Sequence, residues 1–192
     1  MNQLTEALHN ISGAQHQYEV FSGANTHTPY LADIRQKYQR KLFDTLDEVL
    51  SRCDLRDGMT VSFHHAFREG DKVINYVMAR LAEKGLRGLT LASSSLMTCN
   101  TPLIDHIKHG VISKIYTSGM RGELADAISH GLMEEPVQIH SHGGRVNLIE
   151  KGEINIDVAF LAVSCCDEYG NASGSGGAFT PPGALPPFLG FF

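Results

Sequence analysis

Short apolar runs alternate with helix-type patterns along most of the chain, and this alternation limits the possible folds more than any other feature. Each run has the length of one strand, and polar loops and amphipathic stretches lie between the runs. The predicted strands are residues 59–63, 89–92, 112–117, 137–140 and 156–163. An initial helix, four strand–helix units and a last strand predict an α/β fold, with a mostly parallel sheet that helices cover on both faces.

Sequence signals also place the predicted helices. Their ranges are 30–53, 71–84, 102–109 and 123–130, and glycines follow the last three. In the third helix we expect Thr101 to be the N-cap and Pro102 the first helical residue. The last strand, 156–163, is nearly all apolar, so we expect it in the centre of the sheet.

The two ends of the chain depart from this pattern. Residues 1–29 have weak periodicity and are predicted to form a polar N-terminal arm. Residues 172–192 hold four of the seven prolines and four of the nine phenylalanines, with no charged residue. We expect 175–192 to be a separate Gly/Pro/Phe tail, because paired prolines do not fit a central strand. This leaves 30–174 as the α/β domain.

Composition argues against several functional classes. The net charge is -5 and no basic stripe is present, which speaks against nucleic acid as a partner. No apolar run approaches the ~20 residues that span a bilayer, and the N-terminus lacks a secretory signal pattern. Four cysteines are too few for a disulfide scaffold. We therefore expect a cytoplasmic protein with reduced thiols and no membrane partner.

The polar loops that follow the predicted strands carry the candidate chemistry, because ligands of open α/β sheets bind at this edge. The candidate binding residues are His64, His65, Arg68 and Gly70 in the first loop and His140, His142, Gly143, Gly144 and Arg145 in the fourth. Paired glycines allow close approach of the backbone to a ligand, and a following arginine can hold a carboxylate or a phosphate. An anion site is predicted, with a tight turn and a solvated arginine as the alternative.

Other chemistries receive less support. Nucleotide-binding glycine motifs and the GxSxG elbow are absent from the sequence. His140 and His142 would share a face in an extended segment, so a metal-dependent hydrolase that uses the histidines is an alternative, although we expect no metal. Cys165 and Cys166 are interpreted as structural, and Glu168 as a loop carboxylate more readily than a nucleophile.

Several segments, taken in order, resemble the citrate lyase alpha chain family. They are residues 61–71, 89–96, 115–119, 135–145, 155–161 and 166–171. The most specific is the His-Ser-His-Gly-Gly-Arg string at 140–145, because other CoA-transferases share the fold but not that string. The resemblance implies the first half of a CoA-transferase-like fold, which has two similar α/β halves with the site between them.

The resemblance also implies an activity, that of a citrate:acyl-carrier-protein transferase, or citrate CoA-transferase. Such an enzyme exchanges acetyl for citrate on the CoA-like prosthetic thiol of the carrier and releases acetate. The implied partners are citrate, an acetyl thioester, the beta chain and the acyl-carrier gamma chain, and no cofactor is bound covalently to this chain. Because the chain is less than half the family's length, we expect an N-terminal part whose catalytic residue is unknown. A non-catalytic remnant that only binds ligand or partner subunits stays open as an alternative.

Overall fold

The computed structural model describes residues 42–64 and 72–161, together with two short strands at 165–166 and 172–173. The helices are Leu46–Arg52 (α1), Val73–Glu83 (α2), Leu103–Lys108 (α3), Gly122–Ser129 (α4) and His142–Glu150 (α5), with a 3₁₀ turn at Thr98–Asn100. The strands are Thr60–His64 (β1), Leu89–Ser93 (β2), Ile112–Thr117 (β3), Gln138–Ile139 (β4), Val158–Leu161 (β5), Cys165–Cys166 (β6) and Ala172–Ser173 (β7). The predicted arm, the predicted tail and the start of the first predicted helix lie outside the described residues.

Strands β1 to β5 form one parallel sheet in the order β4-β3-β2-β1-β5, while β6 and β7 pair antiparallel. The α/β fold with a mostly parallel sheet is confirmed. The expected central position of the last strand is wrong, because β5 lies at one edge of the described sheet, beside β1. Its Val158 and Phe160 are buried, whereas Ala159 and Leu161 are only half-buried. The apolar run therefore reflects one buried face and one partly covered face.

Two residues far apart in sequence join the strands at this edge. Asp157 donates its backbone N–H to the carbonyl oxygen of Thr60 at 3.1 Å. Thr60 in turn donates its N–H to Oδ2 of Asp157 at 2.7 Å, across 97 positions. β1 is thus paired on both sides, by β2, the next strand along the chain, and by β5, almost a hundred positions later.

The first face of the sheet carries the hydrophobic core. Its strand residues alternate with those of the second face, as in any pleated sheet. The buried strand side chains of this core are Val61, Phe63, Leu89, Leu91, Ile112, Ile115, Val158 and Phe160. Phe63 and Phe160 stack with their ring centroids 5.3 Å apart. Buried residues of α1 to α4 belong to the same cluster, so these four helices cover this face.

Helix α5 reaches the second face. The connections from β1 to β4 all step in one direction along the sheet, whereas the connection through α5 returns across it to β5. Right-handed crossovers place helices of opposite step direction on opposite faces. A contact from α5 to Ser62 and Ala92, described below, agrees with this placement.

The helix ends follow the sequence signals in part. Gly85, Gly110 and Gly131 follow α2, α3 and α4 with φ values of +84°, +71° and +88°, a conformation that glycine adopts without strain. Pro102 is the N-cap of α3 and Leu103 its first residue, so the expected first helical residue at Pro102 and the expected N-cap at Thr101 are both wrong. The Thr101 hydroxyl donates to the carbonyl of Thr98 at 3.1 Å, because the preceding residues form a 3₁₀ turn that continues into α3.

A buried amide pair fixes the turn after β2. Asn100 is 1% exposed and donates from Nδ2 to Oδ1 of Asn75 at 3.0 Å. Asn75 donates from Nδ2 to the carbonyl of Cys99 at 2.7 Å, and Oδ1 of Asn100 accepts from the N–H of Met97 at 2.8 Å. These bonds connect the turn to α2, which follows the first candidate loop.

Candidate functional site

The carboxyl ends of four strands lie side by side, as the parallel order requires. Ser94 donates its N–H to Phe63 O at 3.1 Å, and Ser118 donates to Ser94 O at 3.2 Å. His140 donates to Thr117 O at 2.9 Å. Backbone bonds therefore join the ends of β1, β2, β3 and β4 into one edge. At the β1/β5 boundary the strand order reverses direction, which is the position where open α/β sheets bind ligands.

The second face of the sheet carries a row of small and polar residues behind this edge. Ser62 is the register partner of Ala92, and Ala92 is the register partner of Tyr116. Neighbouring strands are about 4.8 Å apart, so the three side chains follow one another across the face. Ser62 and Ala92 are buried.

The side chain of Arg145 occupies this part of the second face. Its Nη2 donates to Ser62 Oγ at 2.8 Å and to the carbonyl of Ala92 at 3.1 Å. Arg145 lies in the first turns of α5 and is half-buried. The alternative of a solvated arginine on a tight turn is therefore wrong.

The charge of Arg145 has no carboxylate partner among the described residues, where the ion pairs involve Arg56, Arg80 and Lys114. Burial lowers the pKa of the Arg145 guanidinium, because desolvation disfavours its charged form. Its Nη1 is buried and has no hydrogen-bond partner within the described part of the chain. A buried donor of this kind is costly unless an acceptor meets it.

Two further buried polar atoms at the same edge also lack a hydrogen-bond partner among the described residues. Of the buried side-chain nitrogen and oxygen atoms that lack a partner among the described residues, three belong to Ser118, His140 and Arg145. The ring of His140 stacks on Tyr116, with centroids 6.3 Å apart, and its Nε2 has no partner. Tyr116 borders Ala92 in the row, so the ring of His140 and the side chain of Arg145 both lie over the second face of the sheet. Together they form a cluster of polar groups suited to an anion.

A lysine extends this cluster along β3. The ammonium of Lys114 lies 5.1 Å from the centroid of the Tyr116 ring and 4.0 Å from a carboxylate oxygen of Glu135. The pKa of Lys114 is raised, chiefly by its hydrogen bond with Tyr116. The cluster thus has a second cation on its outer side, and that cation is already paired.

Helix α5 begins inside the specific string at 140–145. Ser141 is the N-cap, and its Oγ accepts from the N–H of Gly144 at 3.0 Å. His142 is the first helical residue and Gly143 follows it. The expected extended segment with His140 and His142 on one face is wrong, because the chain turns from strand to helix between them. Gly143 and Gly144 have no left-handed conformation, so they form a helix turn and not a separate anion loop.

The other predicted site residues divide into two groups. His64 is the last residue of β1 and lies on the same face as Ser62, two positions nearer the carboxyl edge. His65, Arg68 and Gly70 lie outside the described residues. Sequence reasoning missed Ser62, for which the available signal is a polar residue between the apolar residues Val61 and Phe63.

The described residues contain neither a metal-binding cluster nor a membrane-spanning helix. Within 42–64 and 72–161, no group of three or more His, Cys, Asp or Glu side chains is placed to hold a metal ion. The described part therefore offers no support for the hydrolase alternative. In the same part, every helix is too short or too polar to cross a membrane.

Comparison with known proteins shows that this chain is similar to citrate lyase alpha chains. Residues 39–185 match the family described as "Citrate lyase, alpha subunit (CitF)". The chain is 61% identical over 157 residues to the citrate lyase alpha chain of Klebsiella pneumoniae, covering 82% of this chain and 31% of that protein. It is 60% identical over 146 residues to the citrate lyase alpha chain of Escherichia coli K12, covering 73% and 29%.

A solved structure agrees with these matches. It is described as an alpha subunit of citrate lyase from Streptococcus mutans in complex with citrate. The TM-score is 0.69 at 48% identity, and the match covers 71% of this chain and 27% of that chain. The chain spans about three-tenths of the length of the curated relatives that it matches. The matches extend over most of its sequence and fold, and on this basis the chain belongs to the citrate lyase alpha subunit family.

Proposed function

We propose that this chain supplies the acid-binding part of a citrate:acyl-carrier-protein transferase. In this reaction the acetyl thioester of the carrier exchanges its acyl group with citrate, so that a citryl thioester forms and acetate leaves. The family assignment supports the reaction, and the cluster around Arg145 supports the binding of a carboxylate. The catalytic residue is not assigned to any described side chain.

The half-buried guanidinium of Arg145 carries the proposal. Its Nη2 donates one hydrogen bond to Ser62 and one to Ala92, whereas Nη1 is buried and has no partner among the described residues. Burying a charge without an opposite charge is unfavourable, and a bound carboxylate would remove this cost. Citrate has three carboxylates, and arginine holds such groups through paired, charge-assisted hydrogen bonds.

Neighbouring groups would bind the rest of a polycarboxylate. His140, which follows β4, presents an Nε2 that has no partner among the described residues, and the backbone N–H groups of the first turn of α5 lie close to it in sequence. The N-terminus of a helix attracts anions through these N–H groups and its dipole. His64 lies on the same sheet face as Ser62. We therefore assign His64, His140, His142, Gly143, Gly144 and Arg145 to the substrate site, together with His65, Arg68 and Gly70, which follow β1 in the sequence.

The proposal includes the partners of the family reaction. The acetyl group would arrive on the CoA-like prosthetic group of an acyl-carrier gamma chain, or on CoA itself, so this chain needs no covalently bound cofactor. A beta chain would then cleave the citryl thioester. We place this chemistry in the cytoplasm, where we expect the carrier and CoA thioesters to be present.

Calorimetric titration of the 192-residue chain with citrate tests the binding step. We expect citrate to bind and Arg145→Ala to weaken binding by at least about tenfold, since hydrogen bonds to a charged group are lost. Arg87→Ala is the matched control, because Arg87 is exposed at the opposite edge of the sheet, before β2. Equal citrate affinity of both variants and the wild-type chain would contradict the proposal.

Release of acetate distinguishes transfer from binding alone. Acetyl-CoA is incubated with the chain and citrate, and acetate is measured over time with and without citrate. Citrate-dependent acetate release supports the transferase and contradicts the non-catalytic remnant. Citrate binding without acetate release would favour the remnant, with the acid site intact and the catalytic residue elsewhere.

A further inference from the structure

We infer that Ser62 is a positioning residue for the acid site, because it orients the guanidinium of Arg145 toward the bound carboxylate. The inference rests on the proposed function of Arg145. Ser62 belongs to β1, 83 positions before Arg145, and does not lie in either candidate loop. Its role would therefore be exerted through the arginine and not through contact with the substrate.

The geometry at Ser62 fixes one amine of the guanidinium. Nη2 carries two hydrogens, and its two acceptors, Ser62 Oγ and the Ala92 carbonyl, belong to register partners on adjacent strands. A guanidinium is planar, so two bonds to one amine define both its plane and the direction of its other amine. Since both strands belong to the parallel sheet, the acceptors are held in place by its hydrogen bonds.

This arrangement leaves Nη1 as the group available for a ligand. Nη1 is buried and has no partner among the described residues, and Ser62 is only 6% exposed. Without the Ser62 hydroxyl, Nη2 would keep one acceptor and the guanidinium could rotate about that bond. Nη1 would then lose its fixed direction, although the charge of Arg145 would remain. Ser62 therefore differs in role from Arg145, which supplies the charge itself.

A first experiment examines the chain without ligand. Nuclear magnetic resonance of the ¹⁵N-labelled arginine side chains measures rotation of each guanidinium about its bonds. We expect slow rotation for Arg145 in the wild-type chain and faster rotation after Ser62→Ala. Fast rotation in the wild-type chain, or unchanged slow rotation in the variant, would overturn the inference.

A second experiment measures coupling between the two residues. Citrate affinity is determined for Ser62→Ala, Arg145→Ala and the double variant, with Ser113→Ala as the control at an exposed strand serine. We expect Ser62→Ala to weaken binding roughly tenfold and to have no further effect in the Arg145→Ala background. The circular dichroism spectrum should match that of Ser113→Ala, which separates loss of orientation from loss of the fold.

The outcomes separate the two proposals. If Arg145→Ala weakens citrate binding and Ser62→Ala does not, the inference fails and the proposed function stands. If Arg145→Ala has no effect, the proposed function fails and the inference fails with it. If Ser62→Ala loses its circular dichroism signal, Ser62→Thr carries the test, because it keeps the hydroxyl. Wild-type affinity of Ser62→Thr supports the inference, and loss of affinity in a folded Ser62→Thr chain overturns it.

Discussion

The side-chain amides of Asn100 and Asn75 meet at 3.0 Å and fix the turn after β2 to helix α2. Asn100 is almost completely buried, and each of its polar atoms has a partner in this pair or in the turn itself. Buried polar groups that are fully satisfied make a local structure rigid, whereas the loss of one partner leaves the others uncompensated. The position of the start of α2 therefore depends on Asn100.

Replacement of Asn100 by alanine tests this dependence. We expect the free energy of unfolding to fall by about 1–3 kcal/mol, because the N–H of Met97 and the Asn75 amide lose their partner. Urea unfolding followed by circular dichroism measures the change. Asn155→Ala is the matched control at an exposed asparagine and should alter stability by less than about 0.5 kcal/mol. Equal losses in both variants would contradict the role of the buried pair.

The two glycines of α5 should respond differently to alanine. A Cβ at Gly143 meets no atom within 4 Å, so Gly143→Ala should raise the free energy of unfolding by about 0.5–1 kcal/mol, as alanine favours helix. A Cβ at Gly144 would lie 3.0 Å from Ser141 Oγ, the capping atom. We expect Gly144→Ala to be less stable than Gly143→Ala by about 1 kcal/mol, the value of an N-cap. Urea unfolding compares the two variants.

The same pair separates folding from ligand binding. The proposed contact of Gly143 with substrate predicts weaker citrate binding for Gly143→Ala, although this variant is the more stable one. Citrate titration at matched protein concentration measures the effect. Unchanged affinity in a stabilised Gly143→Ala chain would remove Gly143 from the proposed site and leave it as a helix residue.

The stability of the chain should depend on the protonation of His106 in α3. Burial lowers the pKa of His106 below its ordinary value of 6.5. The unfolded chain therefore binds the proton first as the pH falls below 6.5, and stability is lost until the folded-state pKa is passed. We expect His106→Gln to reduce the loss of unfolding free energy between pH 7.5 and pH 5.5. Urea unfolding at both pH values measures the change, and equal losses in His106→Gln and the wild-type chain would contradict the expectation.

Cys53 should react slowly with alkylating reagents in the folded chain. Burial raises the pKa of its thiol from 9.0 to about 11, and its Sγ donates to the carbonyl of Val49 at 3.3 Å. The thiolate is the reactive form, so two units of pKa reduce its population at pH 8 about 100-fold. Alkylation by iodoacetamide, followed by peptide mass spectrometry, compares native and urea-unfolded chains. Similar rates at Cys53 in both states would contradict this expectation.

Much of the fold is predictable from the sequence because each element carries its own local signal. The strand at 112–117 and the glycines after α2, α3 and α4 agree with the structure. The edge position of β5 is not predictable in this way, because an apolar strand can be covered by helices, by neighbouring strands or by both. Strand order depends on the pairing of β1 with residues almost a hundred positions later, and periodicity contains no information about that pairing.

Only the location of the candidate site is predictable from the sequence. The string at 140–145 indicated the family and an anion-binding arginine, and the family assignment is confirmed. The hydrogen-bond partners of Arg145 could not be deduced, because the sequence around Ser62 and Ala92 predicts only buried strands. The bounds of helix α5 are also not predictable from the sequence, because its two glycines weaken the helix pattern at the end that contacts the site.

The pairing of Thr60 with Asp157 has a consequence for biosynthesis. At ribosomal rates of about 5–20 residues per second, the 97 positions between them take roughly 5–20 s to synthesise. During this interval one edge of β1 has no strand beside it and can pair with a foreign strand. The nascent chain therefore passes through an aggregation-sensitive stage that ends when β5 leaves the ribosome and closes that edge.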